Sequence, residues 1–361
     1  MANFVYIHIP FCKTICSYCD FCKIYYDKKY ISSYLDCLEN EILSRYKGEV
    51  IDTIYIGGGT PSSLEYDELM RLFQIMKIFK VSDDLEYSIE SNIECLDEQK
   101  ISLLKKYGVN RVSLGVQSFD DQILKELNRN HNKNDVYEVV SLLKKYGIDN
   151  INIDLIYGVT ENKDIVEKDI DMYLELDVTH ISCYSLIIED GTMFGIANRE
   201  YIDSDMEYEM YLMIRDKLIN NGYKQYEISN YCKSGYESRH NVNYWKNGFY
   251  YGFGLGAVSF IDNYRISNTK SLTKYLNGVY EYESIYETKD LRMQNEMMLG
   301  LRMMDGVNIK RFYDKFGIEI SEYFDIDDLF EDGKLIVSDG YVRIDDDYLY
   351  LSNDILIRFI D

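Results

Sequence analysis

Residues 6–22 read YIHIPFCKTICSYCDFC: a β-branched run that ends at Pro10 and opens into a loop carrying Cys12, Cys16, Cys19 and Cys22. Half of the chain's eight cysteines lie here, while Cys37, Cys95, Cys183 and Cys232 stand alone and read as small buried hydrophobes. A tight cysteine group in a reducing compartment points to a metal rather than to disulfides. The spacing Cys12-x3-Cys16-x2-Cys19 puts three thiolates on one short loop after a strand. That arrangement suits three corners of a cubane iron–sulfur cluster, with one iron left open. Structural zinc also takes cysteines, but its sites pair two separated knuckles and no second Cys/His pair occurs here.

Outward from this stretch, the first half of the chain alternates strand-like runs (4–8, 53–56, 86–90, 111–115, 151–155, 180–186) with amphipathic segments. In one of these Tyr30, Tyr34, Leu38 and Ile42 recur every four residues, and Gly48 stands as a helix stop. LLKKYGVNRVSLG (103–115) returns as LLKKYGIDNINID (142–154), each reading as a last helical turn, a glycine cap and a strand. Six such units predict an α/β fold, a partial (β/α)6 barrel. After about residue 200 the rhythm changes. A helix is expected over 206–218, an aromatic-rich stretch over 223–260, helical patterns near 272–282 and 292–304, and a tail with strand-like runs such as 348–351. We read the tail as a smaller C-terminal α+β, wing-like domain, with residues 1–265 before it and 266–361 within it. The chain's two prolines, Pro10 and Pro61, both follow predicted strands, where loop rigidity would hold a site.

Composition sets limits on function. The 361 residues exceed a usual single domain, and 46% hydrophobic content is ample for a core. Thirty-nine Lys and Arg against 62 Asp and Glu leave a net charge of −23, which repels phosphate backbones and excludes nucleic acid as a general partner. No stretch approaches the length of a membrane span, and MANFVYIHIP is not a secretory signal, so a cytoplasmic location is expected.

Two further groups of residues carry chemistry. In Gly57-Gly58-Gly59-Thr60 the missing side chains let backbone groups approach a ligand's polar head, although a tight turn would use glycines equally well. Glu90, Gln117 and Asp154 fall at or just past the ends of successive predicted strands, where barrel sites are built. A carboxylate there accepts hydroxyl or amino protons, and Gln both donates and accepts. His240-Asn241-Val242-Asn243-Tyr244-Trp245 holds one of four histidines and the only tryptophan. Its residue types suit either a packed loop or an imidazole ligand flanked by apolar rings. His8, on the first strand, reads as structural or supporting; His131 as orienting the Arg129 loop; His180 as structural.

The cysteine triplet with Tyr18 before its last member resembles the radical S-adenosylmethionine (SAM) superfamily. That resemblance implies a 4Fe–4S cluster on Cys12, Cys16 and Cys19, whose open iron binds the amino and carboxylate groups of SAM and cleaves it to a 5′-deoxyadenosyl radical. It also implies a full or partial β/α barrel. YIHIPFC, GGGTPS, GVQSF, DLIYG, YEISNY and HNVNYW together, in order from residue 6 to about 260, resemble the oxygen-independent coproporphyrinogen III oxidase-like family, and most of all its haem-chaperone branch. The likeness assigns Tyr6, Tyr18, Gly58, Gly59, Thr60, Glu90, Gln117, Arg129, Asp154 and, on a looser motif, Ile188 to SAM, and His240 to haem. It implies haem, a haem-accepting protein and an electron donor as partners. The porphyrinogen-oxidising relatives carry a Cys-x-Cys that here is interrupted by Phe21, with Cys22 one position late and read as a free thiol beside the cluster. The expected function is therefore haem binding and delivery. The alternatives are oxidative decarboxylation of coproporphyrinogen III, or radical modification of haem itself.

Overall fold

The computed structural model describes residues 2–360. Its main sheet contains β1 (Phe4–Ile9), β2 (Val50–Gly58), β3 (Lys80–Asn92), β4 (Arg111–Gln117), β5 (Asn150–Tyr157), β6 (His180–Ser185), β7 (Lys224–Gln225), β8 (Asn230–Cys232) and β9 (Tyr251–Phe253). Their spatial order is β9-β1-β2-β3-β4-β5-β6-β8-β7. The six strands expected from the sequence are β1 to β6, side by side and parallel. The crossovers between them contain the helices Lys28–Arg45, Tyr66–Met76, Glu98–Lys106, Lys133–Lys145 and Lys163–Glu175, and Ser204–Asn220 follows β6. Beyond this unit β9 adds parallel to β1, while β8 pairs antiparallel with β6. Among the described residues the sheet's two edges do not pair with each other, so the barrel is partial.

The internal repeat is a repeated helix stop. Val109 N–H donates to Leu104 O and Gly108 N–H to Lys105 O; thirty-nine residues later Ile148 N–H donates to Leu143 O and Gly147 N–H to Lys144 O. Both glycines adopt the left-handed conformation that this Schellman closure requires (φ +86° and +70°). Leu103, Leu104 and Leu143, just before the stops, are fully buried against the sheet, each contributing about 1.5–3 kcal/mol. The strands divide their two faces by parity. Val112, Leu114, Ile151, Ile153 and Ile181 pack in the main apolar core, whereas Arg111, Ser113, Asn152, Asp154, His180 and Ser182 line the barrel interior.

The C-terminal third differs from expectation in detail. The pattern near 272–282 is helical only over Leu272–Leu276, because Gly278 (φ +77°) closes another such stop, and the chain continues as the strand Glu281–Tyr286. That strand joins Val258–Ile261 and Tyr264–Asn268 in one antiparallel sheet, so a boundary at 265 falls inside a hairpin. A second apolar core starts at Met293 and includes Phe312, Phe316, Leu335 and Phe359. Its wing is the hairpin Leu335–Ser338/Tyr341–Ile344, turned by Asp339 and Gly340, both at positive φ. Residues 348–351, expected as strand, belong to the 3-10 helix Asp346–Leu351. Asp345 caps its start through Asp347 N–H, and Leu349 fills the second core.

Candidate functional site

The cysteine loop is closed at its base and pinned at its side. Phe11 and Cys12 pair in parallel with Ile24 and Tyr25, and Ile24 N–H donates to Pro10 O. Across the loop, Ser17 N–H donates to Leu127 O, and Asn128 Nδ2 to Ile15 O at 2.7 Å. Tyr18 packs on a small apolar cluster of Ile123, Leu127, Val159, Leu186 and Phe194, which anchors the loop between Cys16 and Cys19. The three thiols open on one cavity of about 470 Å³. Arg129 Nη1 donates to Cys16 Sγ (3.4 Å) and to Asn92 Oδ1 (2.9 Å), and Thr60 Oγ1 to Cys12 Sγ (3.5 Å). Burial raises the Cys12 thiol to about 11 and shifts Cys19 in the same direction, so thiolates here need a compensating positive centre. Arg129 Nε is buried without a partner among the described residues. A guanidinium beside Cys16 and a hydroxyl donor on Cys12 fit an electron-rich cluster. Among the described residues no three His, Cys, Asp or Glu converge on one point for a single ion, whereas a cubane takes one thiolate per iron.

The glycine run forms the next wall. A side chain at Gly59 would strike Pro10 and come within 3.0 Å of Cys12 Sγ, so its absence lets β2 lie against the cysteine loop. Gly58 sits at φ +113°, against the His8 ring. Glu90 Oε2 accepts from Gly58 N–H (3.0 Å) and Oε1 from the Tyr55 hydroxyl (2.8 Å). Burial pushes the Glu90 carboxyl up to about 7 and also raises Asp154. Gln117 adopts φ +72°, where the β4–β5 register shifts. This bulge at the strand end turns its side chain into the cavity.

Of the residues singled out from sequence, the cavity wall brings together Cys12, Cys16, Tyr18, Cys19, Gly58, Gly59, Thr60, Glu90, Gln117, Arg129 and Asp154. Three lie behind it. Tyr6 donates its hydroxyl to His8 Nδ1 (2.9 Å), because His8 Nε2 carries the proton given to Cys22 O (2.7 Å). Ile188 holds Tyr201 through its backbone (2.9 Å), and its neighbour Ile187 faces the cavity instead. His240 is 1% exposed, in the helix Arg239–Trp245. Its Nδ1 pairs with Thr53 Oγ1 (2.7 Å) and its Nε2 with the Tyr244 hydroxyl (2.8 Å). Burial lowers it to about 3, so it is a neutral imidazole with both nitrogens engaged. In this conformation it offers no open position to an iron. Cys22 also faces away from the cavity wall: its sulfur lies where a Gly256 side chain would begin.

Sequence reading missed Tyr55, Asn92, Ser113, Asn152 and Tyr226, and it took His180 as merely structural. His180 Nδ1 pairs with Asn152 Oδ1 (2.6 Å), whose amide donates to Asp154 Oδ1 (2.7 Å). The available signal was parity, since Asn152 and Asp154 share a strand face with the site.

The Radical SAM superfamily model matches residues 6–172, and the HemN C-terminal domain model matches 288–352. The chain is 37% identical over 372 residues to the heme chaperone HemW of Bacillus subtilis, covering 98% of each. It is 37% identical over 370 residues to that of Lactococcus lactis, covering 99% of this chain and 97% of the other. In fold it is similar to the coproporphyrinogen III oxidase HemN of Escherichia coli, a radical SAM enzyme (TM-score 0.88, 21% identity, 99% of this chain and 90% of that one).

Proposed function

Because this chain belongs to the radical SAM superfamily, within the HemW family of haem chaperones, we propose that it binds haem and hands it to an acceptor protein, with a 4Fe–4S cluster and SAM assisting. The full-length kinship to haem chaperones carries this reading. Phe21, standing where the porphyrinogen-oxidising relatives have the second cysteine of Cys-x-Cys, agrees with it.

Cys12, Cys16 and Cys19 hold the cluster, and Arg129 and Thr60 donate to its sulfur ligands. Gly58 and Gly59 bring backbone close to SAM, while Glu90 and Asp154 accept from its ribose hydroxyls or amino group. When bound and reduced by an electron donor, the cluster supplies the electron for SAM chemistry. His240 is the ligand proposed for the haem iron, and it must exchange its bonds to Thr53 and Tyr244 to take that role. A second docking mode is favoured by Phe21 and Ile187, each 64% exposed at the same cavity, where a porphyrin face would cover apolar surface. Among the described residues no helix is long and apolar enough to cross a membrane.

Haem titration of the cluster-loaded protein, followed in the Soret band and then by transfer to an apo-haemoprotein, tests the proposal. Stoichiometric binding and transfer, without conversion of coproporphyrinogen III, is expected. SAM-dependent porphyrinogen turnover without specific haem binding would overturn it. Loss of haem binding in His240→Ala assigns the ligand, and loss in Phe21→Ser assigns the rim.

A further inference from the structure

We infer that the segment from Ser238 to Trp245 is a positioning element for both carboxylates of the SAM pocket, reaching Glu90 and Asp154 through two separate chains of side chains. This rests on the reading that Glu90 and Asp154 hold SAM.

The segment is fastened beneath the cavity. Glu86, four residues before Glu90 on the same face of β3, takes the backbone N–H of Arg239 on one oxygen (3.0 Å) and of His240 on the other (3.1 Å). Ser238 and Asn241 reach the cavity itself. From this anchor the first chain runs through rings. Thr53 and Tyr244 fix both nitrogens of His240. The imidazole stacks on Tyr55 at 5.1 Å between centroids and 25° between planes. Tyr55 donates to Glu90 Oε1, leaving the carboxylate held by two donors, Tyr55 and Gly58 N–H.

The second chain runs through hydrogen bonds alone. Asn152 Oδ1 only accepts, so His180 Nδ1 carries the proton and Nε2 accepts from the Tyr226 hydroxyl (2.8 Å). The Tyr226 oxygen in turn accepts from Ser238 N–H (3.3 Å). At the other end Asn152 donates to Asp154 Oδ1, and Ser113 donates to Oδ2 (3.1 Å). Every donor direction is then consistent from the helix cap to the carboxylate. Buried networks satisfied in this way select one arrangement of their members. Here that arrangement is the aim of two carboxylates into the cavity. Iron ligation by His240 would draw its ring off Tyr55, so by linkage haem bound there and SAM would weaken one another.

The test measures SAM affinity of the cluster-loaded protein by equilibrium dialysis, together with the change SAM causes in the EPR signal of the reduced cluster. Tyr55→Phe keeps the ring and the stack on His240 but removes the donor to Glu90. Tyr226→Phe interrupts the other chain, and His240→Ala removes the stacking partner. With iron content unchanged, Tyr55→Phe and His240→Ala should weaken SAM about tenfold and Tyr226→Phe about threefold, with the SAM-induced EPR change diminished in each. If Tyr55→Phe and Tyr226→Phe, both of which keep their packing, bind SAM as the parent does and give the same EPR change, the inference fails. Parent protein that binds no SAM would instead refute the reading on which it rests.

Discussion

The rim of the cavity and its floor are built on opposite principles. At the rim, Cys12 is buried and Cys16 and Cys19 half-buried at the cavity, Arg129 Nε has no partner among the described residues, and Phe21 and Ile187 lie exposed. At the floor, His240, His180 and Glu86 each have the polar atoms of their side chains engaged by named partners at 2.6–3.1 Å. Groups left with valence to spare suit a ligand, because their burial is offset only when one arrives. Groups fully engaged suit the holding of other groups in place.

The hardest blow to this contrast falls at the rim. Cys16→Ala removes one of the three proposed cluster ligands, and Cys22, which faces Gly256, is not placed to replace it. Iron after anaerobic reconstitution should fall from about four per chain to near zero, while far-UV circular dichroism stays unchanged. A cluster retained at full occupancy would mean that the loop is not the metal site.

A smaller effect concerns the wall between the two regions. Burial raises the Glu90 carboxyl from 4.5 to about 7. The groups facing it are Tyr55, Tyr6, Tyr184, Tyr244 and Asp154, and of these only Asp154 is a second carboxyl. SAM binding should therefore tighten as pH rises through 7, and Glu90→Gln should flatten that dependence. The same shift has a sign for stability. A carboxyl raised on folding keeps its full contribution below its unfolded value and loses it as pH rises through 7. Glu90→Gln should accordingly stabilise the SAM-free protein at pH 8 by about 1–3 kcal/mol, a gain that shrinks towards pH 5. Equal melting at both pH values would show that the wall is not under this load.

The smallest effect is expected of Cys22→Ser. It should leave iron content and SAM affinity unchanged, because the thiol stands behind the cluster loop. A change in either would move Cys22 into the rim.

The sequence was most readable where a local rule acts alone. The glycine stops at 108 and 147 close their helices through bonds to residues three and five positions back, so no distant partner is needed to read them. The cysteine spacing and the six parallel units are likewise local. The limit shows at 272–282, where a helical pattern was cut by Gly278 and its last two residues were taken into a sheet. His240 is the sharper case. Its motif names the residue but does not show that Thr53, 187 positions away, engages one of its nitrogens.

By itself, then, the sequence determined the barrel class and the cysteine loop, because strand ends and short spacings carry their own geometry, and family resemblance added residues such as Tyr18 and Arg129 to the eleven that line the cavity. Tertiary structure decided what lies beneath that wall. Strand register sets Glu90 beside Ser113, Ser113 beside Asn152 and Asn152 beside His180. A shift of one residue in any of these pairings would turn the polar row into the apolar core. The helix Arg239–Trp245 closes the row from more than 50 residues beyond its last strand residue. Only packing brings it there, through Glu86, Tyr55 and Tyr226, and no spacing in the chain encodes that meeting.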